Sequence, residues 1–224
     1  SGFAPFGNFW NYYNFNQVEE RLQFIRFDEV VDRIFLNSQQ SWSILDVGCN
    51  EGDLTIAVYD KLQARNTENT IINFLAVDMD NELIQRAKIK SSNITFEFED
   101  YLQSDLPSKY LKEHTIERFD LIFALSISMW VHLNNGDEGL DLFIEKLCSQ
   151  CSNLIIEPHP WKCYLSMRKR NKKNKVELPY TLDTLKIRNN VVEYIEKKIE
   201  SQGFTLVETL GTTKWERKIL WYKR

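Results

Sequence analysis

The residues of this chain best suited to chemistry begin with Asp46-Val47-Gly48-Cys49-Asn50-Glu51-Gly52, a carboxylate followed by a loop with two glycines. Ile44 and Leu45 run apolar into the loop, and Leu54, Ala57, Val58 and Leu62 leave it at helical spacing, so the stretch reads as strand, loop, helix. Gly48 and Gly52 lack Cβ, which lets the backbone take left-handed angles and lets a ligand lie against it. The helix that follows presents free N–H groups at its start. Further on, Ile71–Asp78 is a second apolar run ending in an acid. In nucleotide-binding α/β sheets a carboxylate in that place takes the ribose hydroxyls, so Asp78 is the candidate ribose ligand; the other reading is an N-cap or turn acid before the helix Asn81–Lys90.

Elements that position these residues follow at regular intervals. Residues 1–17 are dense in aromatics and Asn without a period, and such a segment must pack on the core or fold over a ligand. Leu22, Ile25, Val30, Ile34 and Phe35 give helical spacing over 18–36. Ile94–Glu99 alternates as a third strand ending at Asp100-Tyr101, 102–118 holds a short helix, and Phe119–Ser126 is an apolar run of the kind buried on both faces of a sheet. Gly136–Gln150 is an amphipathic helix, Asn153–Glu157 a strand stopped by Pro158 and Pro160, 187–201 a helix, and 204–210 and 215–222 two closing strands.

Composition bounds the rest. The chain has 224 residues, 43% apolar and 27% charged, enough for one domain with a full core, here 1–36 as an N-terminal arm and helix and 37–224 as the body. No apolar run reaches the roughly 18 residues of a membrane span. Cys148-Ser149-Gln150-Cys151 has metal-like spacing but no second Cys or His pair at a zinc distance, and both thiols fall at the end of an apolar helix, so the cysteines read as structural and no metal is implied. The net charge of −4 argues against a uniformly basic surface, yet 168–175 holds six basic residues in eight, which is either a solvated face or a surface for a polyanion.

The acid before the loop and Asn50 in place of a middle glycine resemble the S-adenosylmethionine-dependent methyltransferases and not the dinucleotide-binding dehydrogenases. That implies a Rossmann-like α/β sheet of seven strands, mostly parallel with the last antiparallel. Ile127-Ser128-Met129-Trp130-Val131-His132-Leu133-Asn134-Asn135-Gly136 and Glu157-Pro158-His159-Pro160-Trp161-Lys162-Cys163-Tyr164, with Phe6-Gly7-Asn8-Phe9 and Tyr12, resemble the Bicoid-interacting-protein family of RNA methyltransferases. Met129 before the Trp, where the capping branch carries Lys, is similar to the branch acting on 5′-monophosphate ends. His159 departs from the Gln usual there.

This resemblance implies transfer of a methyl from S-adenosylmethionine to the 5′-monophosphate of an RNA, such as a tRNA or a microRNA precursor, leaving S-adenosylhomocysteine. The alternatives are methylphosphate capping of a 5′-triphosphate RNA, a small-molecule or protein methyltransferase, or a noncatalytic RNA-binding module. By the same resemblance Tyr12 and Asn8 hold the phosphate, with His132 and Lys162 as further candidates. His132 could also be a buried helix-start histidine bonded to backbone. Arg21 pairs with the methionine carboxylate, Gly48, Asn50 and Gly52 shape the loop, Asp100 and Tyr101 meet the adenine, and Leu125 lies near the methionine moiety. The expected protein is a cytoplasmic monomer.

Overall fold

A computed structural model describes residues 12, 17–35, 40–66, 69–175, 177–213 and 216–224. The remaining segments, which include Asn8 and most of the aromatic start, lie outside the described residues.

In chain order the elements are α1 Val18–Ile25, α2 Phe27–Ile34, β1 Ser41–Val47, α3 Asp53–Arg65, β2 Ile71–Asp78, α4 Asn81–Lys90, β3 Thr95–Phe98 and α5 Leu106–Glu113. Then come β4 Phe119–Leu125, α6 Ser128–Gln150, β5 Cys151–Glu157, α7 Trp161–Asn174, α8 Val191–Ser201, β6 Thr205–Thr212 and β7 Lys218–Lys223. The sheet runs β3-β2-β1-β4-β5-β7-β6, with β1 to β5 parallel and β7 antiparallel to both its neighbours. This is the seven-stranded, mostly parallel sheet that the resemblance implies.

Strand residues alternate between two separate cores, which is why the central strands read as unbroken apolar runs. Leu45, Val47, Leu75, Val77, Ile122, Ala124, Leu154 and Ile156 pack under α5 to α8. Ile44, Phe74, Ala76, Leu121, Phe123 and Ile155 pack under α1 to α4.

Among the boundaries that differ from the expectation, such as the helix expected over 187–201 that starts at Val191, three have a physical reason in the backbone or the strand pairing. The helical run over 18–36 is two helices, because Arg26 adopts the left-handed region (φ 48°, ψ 48°) and its N–H closes α1 on Gln23 O. The helix expected from Gly136 starts at Ser128 and is broken at Gly136, whose φ of 71° and ψ of −170° are non-helical. Cys151 begins β5 and does not end the helix; it and Cys148 are buried thiols.

Candidate functional site

Chemistry-bearing residues gather at the carboxyl ends of the parallel strands, where open α/β sheets bind ligands. After β1 the chain turns through Gly48 and Asn50 (φ 82° and 54°) and enters α3 from Gly52 (φ 81°). A Cβ on Gly48 would lie 2.4 Å from Ile127 Cγ2, so glycine is required there both by angle and by space. Asp78, at the end of β2, ties the turn down: its Oδ2 accepts the Asn50 N–H at 2.8 Å and its Oδ1 the Asp80 N–H at 3.0 Å. The acid that caps α4 is Asp80, which accepts from Glu82 N–H and Leu83 N–H, so Asp78 is not the N-cap; its bond from the Asp80 N–H makes it the turn acid before the helix, while it also lines the strand-end cleft.

Burial pushes the Asp78 carboxyl up to about 6, against the backbone N–H donors of Asn50, Asp80 and Met79 that pull it down. Asp46, at the end of β1 and bonded by Thr55 Oγ1 at 2.7 Å, is likewise pushed up by burial to about 6, with the Asp78 charge adding to the effect.

Two clefts meet at the residues that follow β4. The first, of about 620 Å³, is lined by Gly48, Asp78, Asp100, Ile127, Trp130 and Phe143 among others. The second, of about 980 Å³, is lined by Tyr12, Ser126, His159, Lys162, Arg170 and Arg217 among others, Trp130 included. Trp130 belongs to both, and Ser126 and Ile127, adjacent in the chain, face one cleft each. Ser126 holds φ 57°, an uncommon angle for a residue with a side chain. Its Oγ lies 3.4 Å from the Tyr12 hydroxyl and accepts from Arg217 Nη1 at 3.2 Å.

His159 sits beneath the second cleft and is 2% exposed. Its Nδ1 accepts the Met129 N–H at 3.4 Å, which leaves the proton on Nε2. Burial, then the nearby Arg217 and Arg21 charges, hold its pKa well below the usual histidine value, so the ring is neutral.

The other expected site residues fall in several places. Asp100 and Tyr101 both line the first cleft, and the Tyr101 hydroxyl turns inward to donate to Gln150 Oε1 at 2.7 Å. Asn50 and Gly52 shape the loop without lining either cleft. Leu125 packs into the core on the α1–α4 side. Arg21 is buried and donates to Glu157 Oε2 at 2.5 Å. Lys162 is half-exposed and paired with Glu216.

His132 is not brought to either cleft: it is fully buried, with Nδ1 at 3.0 Å from the Tyr164 hydroxyl and Nε2 at 2.8 Å from Asp137 Oδ1. Its partners are therefore side chains and not the backbone. Sequence reasoning missed Ser126, Arg217 and Glu157. The apolar run of β4 points to Ser126 at its end, but nothing local marks Arg217, which meets Ser126 from 91 residues away.

The fold is the Rossmann-like α/β fold shared by solved methyltransferases. A magnesium protoporphyrin IX methyltransferase from Synechocystis PCC 6803, solved with S-adenosylhomocysteine, superposes with a TM-score of 0.58 at 16% identity, covering 98% of this chain and 90% of that one. Residues 119–224 match the family described as Bicoid-interacting protein 3 (Bin3).

The pre-miRNA 5′-monophosphate methyltransferase of Xenopus laevis is 35% identical over 99% of this chain and 93% of its own length. The RNA 5′-monophosphate methyltransferase of Bos taurus is 34% identical over 99% and 81%. More distant is the U6 snRNA methylphosphate capping enzyme Amus of Drosophila melanogaster, 27% identical over 92% and 68%. The chain belongs to the Bicoid-interacting protein 3 family.

Proposed function

We propose that this protein is an RNA 5′-monophosphate methyltransferase that uses S-adenosylmethionine. The observation that carries the reading is the meeting of a strand-end cleft bearing two carboxylates and a cationic cleft at Ser126–Trp130. Relatives named for the 5′-monophosphate reaction support the choice of acceptor.

The first cleft fits an adenosyl group. Asp78 and Asp100 offer carboxylates at two strand ends for hydroxyl and amino donors, Ile127, Val131 and Phe143 offer apolar walls, and Gly48 leaves the backbone bare. Bound there, S-adenosylmethionine supplies a sulfonium methyl, which a phosphate oxygen takes with release of S-adenosylhomocysteine. In this arrangement Arg21 acts at a distance: it neutralises Glu157 and lends positive charge near Asp46.

The second cleft fits a phosphate monoester. Arg217, Arg170 and Lys162 bring positive charge, Tyr12 brings a hydroxyl donor, and the neutral His159 keeps a proton on Nε2. A phosphate monoester, with its second pKa near 6, is already anionic at neutral pH, so no general base has to remove a proton. The residues' work is to fix the oxygen in line with the methyl and to leave no phosphate charge unpaired. His132, sealed by Tyr164 and Asp137, serves to position α6.

A second reading, transfer to the γ-phosphate of a triphosphate end, draws on the Drosophila relative. Transfer of labelled methyl to one RNA carrying a 5′-hydroxyl, monophosphate or triphosphate end tests both. The expected result is transfer to the monophosphate; label on the hydroxyl RNA, or on the triphosphate alone, would sink the proposal.

A further inference from the structure

Helix α7 has a cleft on each side, and Met167 lines both. The outer cleft, of about 910 Å³, lies between α7 and residues 177–183. Nothing in the proposed methyl transfer uses it.

Its aromatic member is seated in advance. The Tyr180 N–H donates to Leu133 O at 3.1 Å, and its ring lies over Gly136, where an added Cβ would come within 2.7 Å of Tyr180 Cε1. The break in α6 at Gly136 therefore makes the seat for this ring. The segment beyond is pinned by Asp137, which accepts the Lys186 N–H at 2.8 Å and the Ile187 N–H at 3.1 Å. Tyr180 remains 40% exposed, so part of the ring is open to a ligand.

Asn171 enters the same cleft from α7. It is 6% exposed, and its Oδ1 has no hydrogen-bond partner among the described residues. A buried acceptor left unsatisfied is costly, and a ligand with an N–H group would relieve it. Charges in the lining are divided: Arg168 and Lys172 stand on the α7 side, Glu177 and Asp183 on the other, with Arg168 Nη1 3.9 Å from Asp183 Oδ1 in a long, exposed pair that a phosphate can replace. Phosphates are therefore favoured along α7, where Lys169 and Lys173 are also exposed, and are repelled from the far wall. A flat ring bearing N–H donors suits the space between.

We propose that this cleft holds an unpaired nucleobase of the substrate RNA, downstream of the 5′-phosphate. The base stacks on Tyr180 and donates an N–H to Asn171 Oδ1, while its flanking phosphates follow Arg168 and Lys172. The inference rests on the RNA reading above and adds a recognition site for the strand to it.

The test is anisotropy titration of single-stranded, 5′-phosphorylated RNAs that are abasic at one position at a time, against wild type, Tyr180→Leu and Asn171→Leu. One abasic position should weaken wild-type binding roughly tenfold and weaken Tyr180→Leu no further, since the stacking partner is already gone. Asn171→Leu should lose RNA affinity while its melting temperature holds or rises. S-adenosylhomocysteine affinity should be the same in all three.

A flat abasic scan, equal losses in wild type and Tyr180→Leu, or full RNA affinity in Asn171→Leu would overturn the site. Methyl transfer to the 5′-phosphate is scored separately on wild type. Transfer with a flat scan removes this site alone, and a position-dependent scan without transfer removes the proposed activity alone.

Discussion

Arg21 and Glu157 form an ion pair closed off from solvent, with Nη2 2.5 Å from Oε2 and side chains 4% and 0% exposed. The pair joins α1 to the end of β5. The other Glu157 oxygen lies 3.5 Å from Arg217 Nη1, so one carboxylate balances two guanidinium groups beside the second cleft. Removing one partner of a buried pair leaves the other charge uncompensated, at about 3–5 kcal/mol. Glu157→Leu should cost about that much in urea unfolding, and Arg21→Met should cost less because Arg217 remains. The double variant Arg21→Met/Glu157→Leu should be more stable than Glu157→Leu alone; equal stability would mean the pair is not a unit.

Asp46 supplies a pH test. Its carboxyl is raised from 3.8 unfolded to about 6 folded, so between those values the folded protein binds more protons than the unfolded chain. That contribution to stability is full below pH 4 and is lost as pH rises through 6. A shift of this size corresponds to about 3 kcal/mol. Asp46→Asn keeps an oxygen for Thr55 and cannot ionise. Its stability relative to wild type should therefore rise by about that amount from pH 4 to pH 7.5 in chemical denaturation; a constant difference would refute the burial argument.

Gly48→Ala should weaken S-adenosylhomocysteine binding in calorimetry, because the new methyl meets Ile127 Cγ2 and the backbone sits at φ 82°. Ile127→Ala in the same chain should restore only part of the affinity. The left-handed angle still costs roughly 1–2 kcal/mol with an L side chain.

Tyr12→Phe removes one hydroxyl facing Ser126 and Arg217 across the second cleft. Turnover on 5′-monophosphate RNA should fall about ten- to a hundredfold, the worth of one charge-assisted hydrogen bond, with S-adenosylhomocysteine affinity unchanged. Full turnover at subsaturating RNA would assign the tyrosine to packing alone.

Neutralising Lys169 and Lys173, which are exposed on α7 and outside both of its clefts, should lower RNA affinity without touching turnover at saturation. For every phosphate of a single strand that these lysines no longer neutralise, the log–log salt slope should fall by about 0.7. An unchanged slope would leave these lysines as a solvated face.

Local chemistry already determined much of this protein. The order of strands and helices, the glycine turn after β1 and the acid ending β2 are carried by neighbours within a few residues, through hydrophobic period and backbone freedom. That is why Gly48 and Asp78 could be named in advance as residues of one strand-end cleft, to which the family resemblance added Asp100. Helix boundaries were less legible, because the breaks lie in single backbone angles, at Arg26 with φ 48° and at Gly136 with φ 71°, that the hydrophobic period runs straight across.

Only the tertiary structure decided how the charges are paired. His132 carried a motif-like signature, yet packing of α6 against Tyr164 closes it inside. Arg21 is turned to Glu157, and Arg217, unmarked by any local pattern, is delivered to Ser126 by the antiparallel pairing of β7 with β5. Spacing along a chain reports which residues share an element. Which charges meet depends on contacts across 91 and 136 residues, and these exist only once both faces of the sheet are covered.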